Sequence, residues 1–97
     1  MPVMHIAWVG FRGGVPAERI ARHLAALRSL PGRIPVILDL KAGASFSDRA
    51  GALTHCVLVT LPDRASLPVY LNHPEHLAVL RNLRPDAAEI RAMDIDI

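Results

Sequence analysis

The 97-residue sequence is poor in three residue types, holding one cysteine, one lysine and four aromatic side chains. A lone Cys56 excludes an internal disulfide, and its place in the apolar run 53–61 marks it as a small buried hydrophobe rather than a nucleophile. The four aromatics are not interleaved with the ten arginines, and no five basic residues cluster, so nucleic acid is not an expected partner. Nothing approaches the ~18 unbroken apolar residues of a membrane span, and the N-terminus lacks the basic segment and apolar run of a secretory signal. No membrane partner is expected, and the cytoplasm is the default location. Internal repeats and long polar tracts are missing too, which leaves one domain over residues 1–97.

What is present is an apolar fraction of 52% against 21% charged residues, with a net charge of +2. That balance offsets the ordering entropy of the chain and predicts a folded domain. Residues 4–11 are apolar on both parities except for His5 and Gly10, as in a strand buried on both faces. After the Gly13-Gly14 turn, Pro16 opens a helix to Leu30 with Ile20, Leu24 and Leu27 on one side, and Pro31-Gly32 stops it. Alternation over Ile34–Leu40 predicts a second strand, and the Gly-, Ser- and Ala-rich segment 42–51 a long connection. Leu53–Leu61 predicts a third strand. The next helix has its regular part late, with Ser66 as cap and Pro68 in the first turn. A short helix over Pro74–Leu83 and a strand over Ile90–Ile97 complete the order β, α, β, β, α, β.

That order predicts an α+β, ferredoxin-like subunit: a four-stranded antiparallel sheet with its helices on one face. Strands apolar on both parities leave the other sheet face uncovered. Packing of that face against a second copy, making a dimeric α/β barrel, is the expected remedy, so the chain is its own expected partner.

Five histidines are many for this length. The parity of His5 and His55 directs both into an apolar layer, and if that layer lies under the helices, Tyr70 and His76 converge on them. Histidine and tyrosine in an apolar cavity make an acid/base pair, imidazole taking a proton near neutral pH and phenol donating to a developing enolate oxygen. The plain alternative is that these are core or cap histidines satisfied by backbone carbonyls. A deep pocket reaching Tyr70 and His76, with His76 unpaired by backbone, would favour ligand chemistry; a small closed cavity would favour the structural reading. A metal at His73 and His76 is the weaker idea, because His73 precedes Pro74 and is held extended, away from the helix face of His76. No metal is expected. The Gly13-Gly14 turn lacks the pattern of a phosphate loop, and Arg12 and Lys41 read as solvated surface.

The opening Met4-His5 strand, the segment Gly51-Ala52-Leu53-Thr54-His55, the helix start Asp63-Arg64-Ala65 and above all Tyr70-Leu71-Asn72-His73-Pro74-Glu75-His76 resemble the stress-responsive dimeric A/B-barrel (Dabb) family. The resemblance implies a homodimer of ferredoxin-like subunits. Most members have no assigned reaction, while a plant member, olivetolic acid cyclase, closes a linear polyketide by aldol condensation. Mapped by motif, its catalytic histidine, its tyrosine partner and its strand histidine fall on His76, Tyr70 and His5. Where that cyclase places aromatics on the first helix, Leu24 and Leu27 stand here, so the implied cavity is aliphatic and the cyclase's own substrate does not carry over. The resulting expectation is a small, largely apolar carbonyl or aromatic ligand held by His5, His55, His73, Leu24, Leu27 and Val57. Any catalysis by His76 and Tyr70 is expected to need no cofactor and to be of cyclase, lyase or isomerase type. A non-catalytic stress-response interaction module is the alternative.

Overall fold

In the computed structural model, which describes Met1–Ile97, the first apolar run forms the central strand β1, Val3–Phe11. Its side chains alternate as a strand requires. Val3, His5 and Val9 are buried on one face, and Met4, Ile6 and Trp8 are half-buried on the other. Gly10 stands where the Ala52-Leu53 backbone passes over the strand. A Cβ there would overlap the Ala52 carbonyl oxygen and lie 3.2 Å from its carbon.

Helix α1 spans Ala17–Arg28, with Pro16 as its N-cap and Glu18 against the positive end of the first turn. Its predicted last turn is instead a short 3-10 turn, Leu30–Gly32. The second strand departs from its predicted position: β2 runs Asp39–Ala44 rather than 34–40. Ile34 and Ile37 belong to a turn, Ile34 N–H donating to Leu30 O and Ile37 N–H to Ile34 O, and both are buried in the core. Pro35 has no N–H to give a ladder. The alternation thus marks a turn that buries every third residue. Strand β2 is a weak strand former by composition and is held by its antiparallel ladder to β3, His55–Leu61.

Helix α2, Ser66–Leu71, begins where predicted and tolerates Pro68 in its first turn. Its cap comes from Asp63 rather than Ser66: Asp63 Oδ1 accepts the Ser66 N–H at 2.9 Å and the Ser66 hydroxyl at 2.7 Å. Those bonds hold the Asp63 carboxyl below the usual carboxylate range. Helix α3, Pro74–Leu83, follows after Asn72 and His73, and β4 runs Ala87–Asp96, starting three residues before the expected Ile90 because Ala87 already pairs with Phe11 across a bulge.

The sheet order is β2-β3-β1-β4 with every neighbour antiparallel, the ferredoxin-like βαββαβ arrangement with its second helix broken into α2 and α3. The core lies between the odd-numbered face of β1 and the helices, where Leu27, Leu30, Tyr70 and Leu83 pack with Val9, Val57, Val59 and Leu61. The opposite face is apolar and uncovered: Met93 and Ile95 are 53% and 42% exposed beside Met4, Ile6 and Trp8. No helix is long and apolar enough to cross a membrane.

Candidate functional site

Three of the predicted side chains meet in the core at one end of β1. Tyr70 of α2, 1% exposed, lies between His76 of α3 and His5 of β1, with ring centroids 4.4 Å and 5.6 Å away. Pro68 therefore does not carry Tyr70 away from His76. Each histidine has a committed Nδ1. His76 Nδ1–H donates to the Leu71 carbonyl at 2.9 Å, satisfying one of the free carbonyls at the end of α2 and fixing the proton on that nitrogen. His5 Nδ1–H donates to Asp94 Oδ1 at 2.6 Å. In the neutral rings Nε2 is then the basic nitrogen of both.

Burial sets the electrostatics. Desolvation lowers the His76 pKa, partly offset by the bond to Leu71 and reinforced by the nearby His5, Arg84 and His73. Burial pushes the Tyr70 phenol up to about 12, so it stays protonated and can donate at neutral pH. Imidazole as neutral base beside phenol as donor is a pairing able to act in general acid/base chemistry.

His55 is not part of this group. His5 pairs with Val59 and Val9 with His55, so the two histidines are four positions apart along the sheet, about 13 Å at strand rise. His55 instead binds Thr54 Oγ1 through Nδ1 at 2.8 Å and meets the edge of Phe11 at 5.0 Å, and desolvation lowers its pKa. On the other side of Phe11 lies His23 of α1, stacked at 5.9 Å and 5°. His23 Nε2 is 2.7 Å from Asp86 Oδ2, and Arg19 grips the same carboxylate with two bonds of 2.8 Å. These bonds hold the Asp86 carboxyl below its ordinary range.

His73 lies near His76 but is committed to the fold. It is extended before Pro74, as predicted, and caps α3, its Nδ1 accepting the Glu75 N–H at 3.1 Å. That nitrogen is thereby taken up by the fold rather than offered to a ligand. Leu27 and Val57 are core residues at 5% and 4% exposure, and half-buried Leu24 packs against them.

Sequence reasoning missed Asp94 and His23. The β4 alternation puts Asp94 on the face opposite Met93 and Ile95, which was the available signal. His23 stands three residues after Ile20 and four before Leu27, on the buried stripe of α1.

Two clefts matter. A small one of about 230 Å³ at the sheet edge is bordered by Val3, Leu67, Asp94 and the Arg64–Asp96 ion pair. It touches the carboxylate that holds His5, and Leu67 lies one helical turn before Tyr70. A larger one of about 640 Å³ runs between α1 and α3 on the outer surface. Neither reaches Tyr70 or His76.

Residues 3–97 match the model of the stress responsive A/B barrel domain. Among solved structures, a dimeric ferredoxin-like protein of unknown function from Thermobifida fusca is 27% identical, covers 100% of this chain and 92% of its own, and superposes with a TM-score of 0.88. A hydroxynitrile lyase from Passiflora edulis is 21% identical, with 99% and 93% coverage and a TM-score of 0.90. A Dabb family protein with a ferredoxin-like fold from Mesorhizobium loti is 15% identical, with 99% and 96% coverage and a TM-score of 0.84. No curated protein sequence matches the chain.

Proposed function

Because this chain belongs to the stress-responsive A/B barrel (Dabb) family, we propose that it works as a cytoplasmic homodimer that binds a small, largely apolar carbonyl compound and moves a proton on it. The dimer is supported by the uncovered apolar sheet face, the usual seat of a self-complementary interface, and by the dimeric state of the Thermobifida fusca relative. The single observation that carries the chemistry is the buried phenol of Tyr70 flanked by two imidazoles whose Nδ1 atoms are both committed.

In this reading His76 Nε2 takes the proton from a carbon next to the carbonyl. The C–H electron pair becomes the C=C bond of the enolate, and the C=O π pair passes to oxygen. Tyr70 O–H donates a hydrogen bond to that oxygen, and return of the proton from His76 Nε2 to carbon closes the cycle. Asp94 keeps the Nδ1 proton on His5 and so keeps its Nε2 basic. No step draws on a cofactor. Positioned acid/base catalysis of this kind is worth about 10²–10⁴ in rate. The backbone bond to His76 engages only Nδ1, so it orients the base without consuming it. The nearest opening is the cleft beside Asp94, which borders the carboxylate that holds His5 but not Tyr70 or His76, so in this reading Leu67 and its neighbours must give way to admit the ligand. A hydroxynitrile lyase on the same fold is compatible with such chemistry but does not assign it.

A second reading, a non-catalytic stress-response interaction module, is favoured by two observations: neither cleft reaches Tyr70 or His76, and His76 is paired with a backbone carbonyl, that of Leu71. A titration that follows the histidine and tyrosine side-chain NMR signals with small β-keto and aromatic acids separates the two. Saturable shifts at His5, Tyr70 and His76 that vanish in His76→Ala are expected. A folded protein with no response at these residues would sink the catalytic reading and leave the module.

A further inference from the structure

The chain's larger cleft lies outside the His5–Tyr70–His76 group, and its lining is unusual in charge. Arginines that the sequence scatters over fifteen positions, Arg19, Arg22 and Arg33, come together along it. Two carboxylates, Glu75 and Asp86, also line it, but both are already engaged. Asp86 is held by two bonds from Arg19 and one contact with His23, and Glu75 lies 3.4 Å from Arg33 across an exposed pair. Arg22 takes part in none of the chain's ion pairs. Three guanidiniums against two carboxylates leave the groove positive, with Arg22 free to pair and Arg33 only loosely held.

The rest of the lining suits an organic body. Ala26 and Leu30 on one side and Ala78 and Val79 on the other form an apolar floor, and Asn82 adds an amide. At about 640 Å³ the groove falls within the size range of small-molecule sites. One end wall is rigid, because the Arg19–Asp86–His23 network ties α1 to the turn before β4 and Phe11 stacks beneath His23. The groove also lies on the side of the helices away from the sheet, so it stays open in a dimer built through the uncovered sheet face.

We propose that this groove between α1 and α3 is a binding site for a small organic anion, a carboxylate or phosphate monoester on a short apolar body, with Arg22 and Arg33 gripping the head group and the half-buried Ala26, Ala78 and Val79 carrying the body. Arg19 and Asp86 are positioning residues that shape the end wall. The site is independent of the proton-transfer group and does not rest on it.

The test uses the full chain and three probes: hexanoate, hexyl phosphate and, as the neutral control, hexanol. Binding is followed through the side-chain N–H signals of Arg22, Arg33 and Asn82. Saturable shifts at these residues with one or both anions and none with hexanol are expected, and the tighter anion identifies the head group. In the double variant Arg22→Gln/Arg33→Gln the affinity should fall by at least about tenfold, as loss of charge-assisted bonds requires. The two arginines are exposed, so the variant should keep the wild-type His76 signals. Ala78→Trp, which fills the groove without touching its charge, should abolish the shifts as well. Equal binding of hexanol, or anion binding unchanged in both variants, would overturn the assignment.

Discussion

Replacing Gly10 with alanine places a single methyl group against a backbone that cannot yield cheaply. The new Cβ would overlap the Ala52 carbonyl oxygen, so the two segments must part by about 1 Å to reach ordinary van der Waals contact. The atoms it meets are main chain, and no side chain can swing aside. The segment that must retreat is the one whose Thr54 N–H donates to Val9 O at 2.9 Å, so relief of the clash stretches that bond. Overpacking of a tight site costs about 1–3 kcal/mol. Losing that hydrogen bond adds about 0.5–1.5 kcal/mol, for a total of about 1.5–4.5 kcal/mol. For a domain this size that is a Tm loss of about 6 °C or more. Thermal and urea unfolding at one fixed protomer concentration measure it, with Gly13→Ala as the control. Gly13 lies in the next turn, its Cβ would meet nothing within 4 Å, and its backbone is not left-handed. The control should be within about 0.5 kcal/mol of wild type. A Gly10→Ala protein as stable as Gly13→Ala would refute the reasoning.

Burial lowers the pKa of both His76 and His55. Such groups bind protons in the unfolded chain before the folded one, so stability should fall as pH drops below about 6.5 and level off once the folded imidazoles also protonate. Urea midpoints at intervals between about pH 7 and 5 should show this loss, and His76→Gln should flatten part of it; a midpoint rising on acidification would contradict the assignment. Ile6→Asp puts a charge on the uncovered sheet face, where Ile6 pairs with Leu58 and Met93. Sedimentation should find wild-type dimers and variant monomers with unchanged helix content, and a variant that stays dimeric would move the interface elsewhere.

How much could be read in advance follows from which signals are local. The two-sided apolar run of β1, the stripe of Ile20, Leu24 and Leu27 in α1 and the proline start of α3 each encode their element within a few residues, and all three are present in the structure. Strand β2 was misplaced because Ile34 and Ile37 anchor a turn by core burial, whereas Asp39–Ala44 becomes a strand only through its neighbour β3. The Tyr70, His76 and His5 group was legible from parity and motif. Its partner Asp94 was not, since the bond to His5 joins residues 89 positions apart. The same holds for His23 and Asp86, 63 apart, whose meeting depends on how α1 lies over the start of β4.

Strand β1 carries His5 toward one polar cluster and Phe11 toward the other, with Val3, Ala7 and Val9 on the same side. Because side chains alternate with a period of two, a shift of β1 by one residue against β3 and β4 would turn His5 and Phe11 out to the uncovered sheet face and Met4, Ile6 and Trp8 into the core. A strand misaligned by one residue turns the β1 members of both polar clusters outward in the same step, although Val3, Ala7 and Val9 would still leave that face apolar. Fidelity of strand alignment and possession of the site are therefore a single property of this chain, and any selection that preserves the histidine cluster also proofreads the sheet.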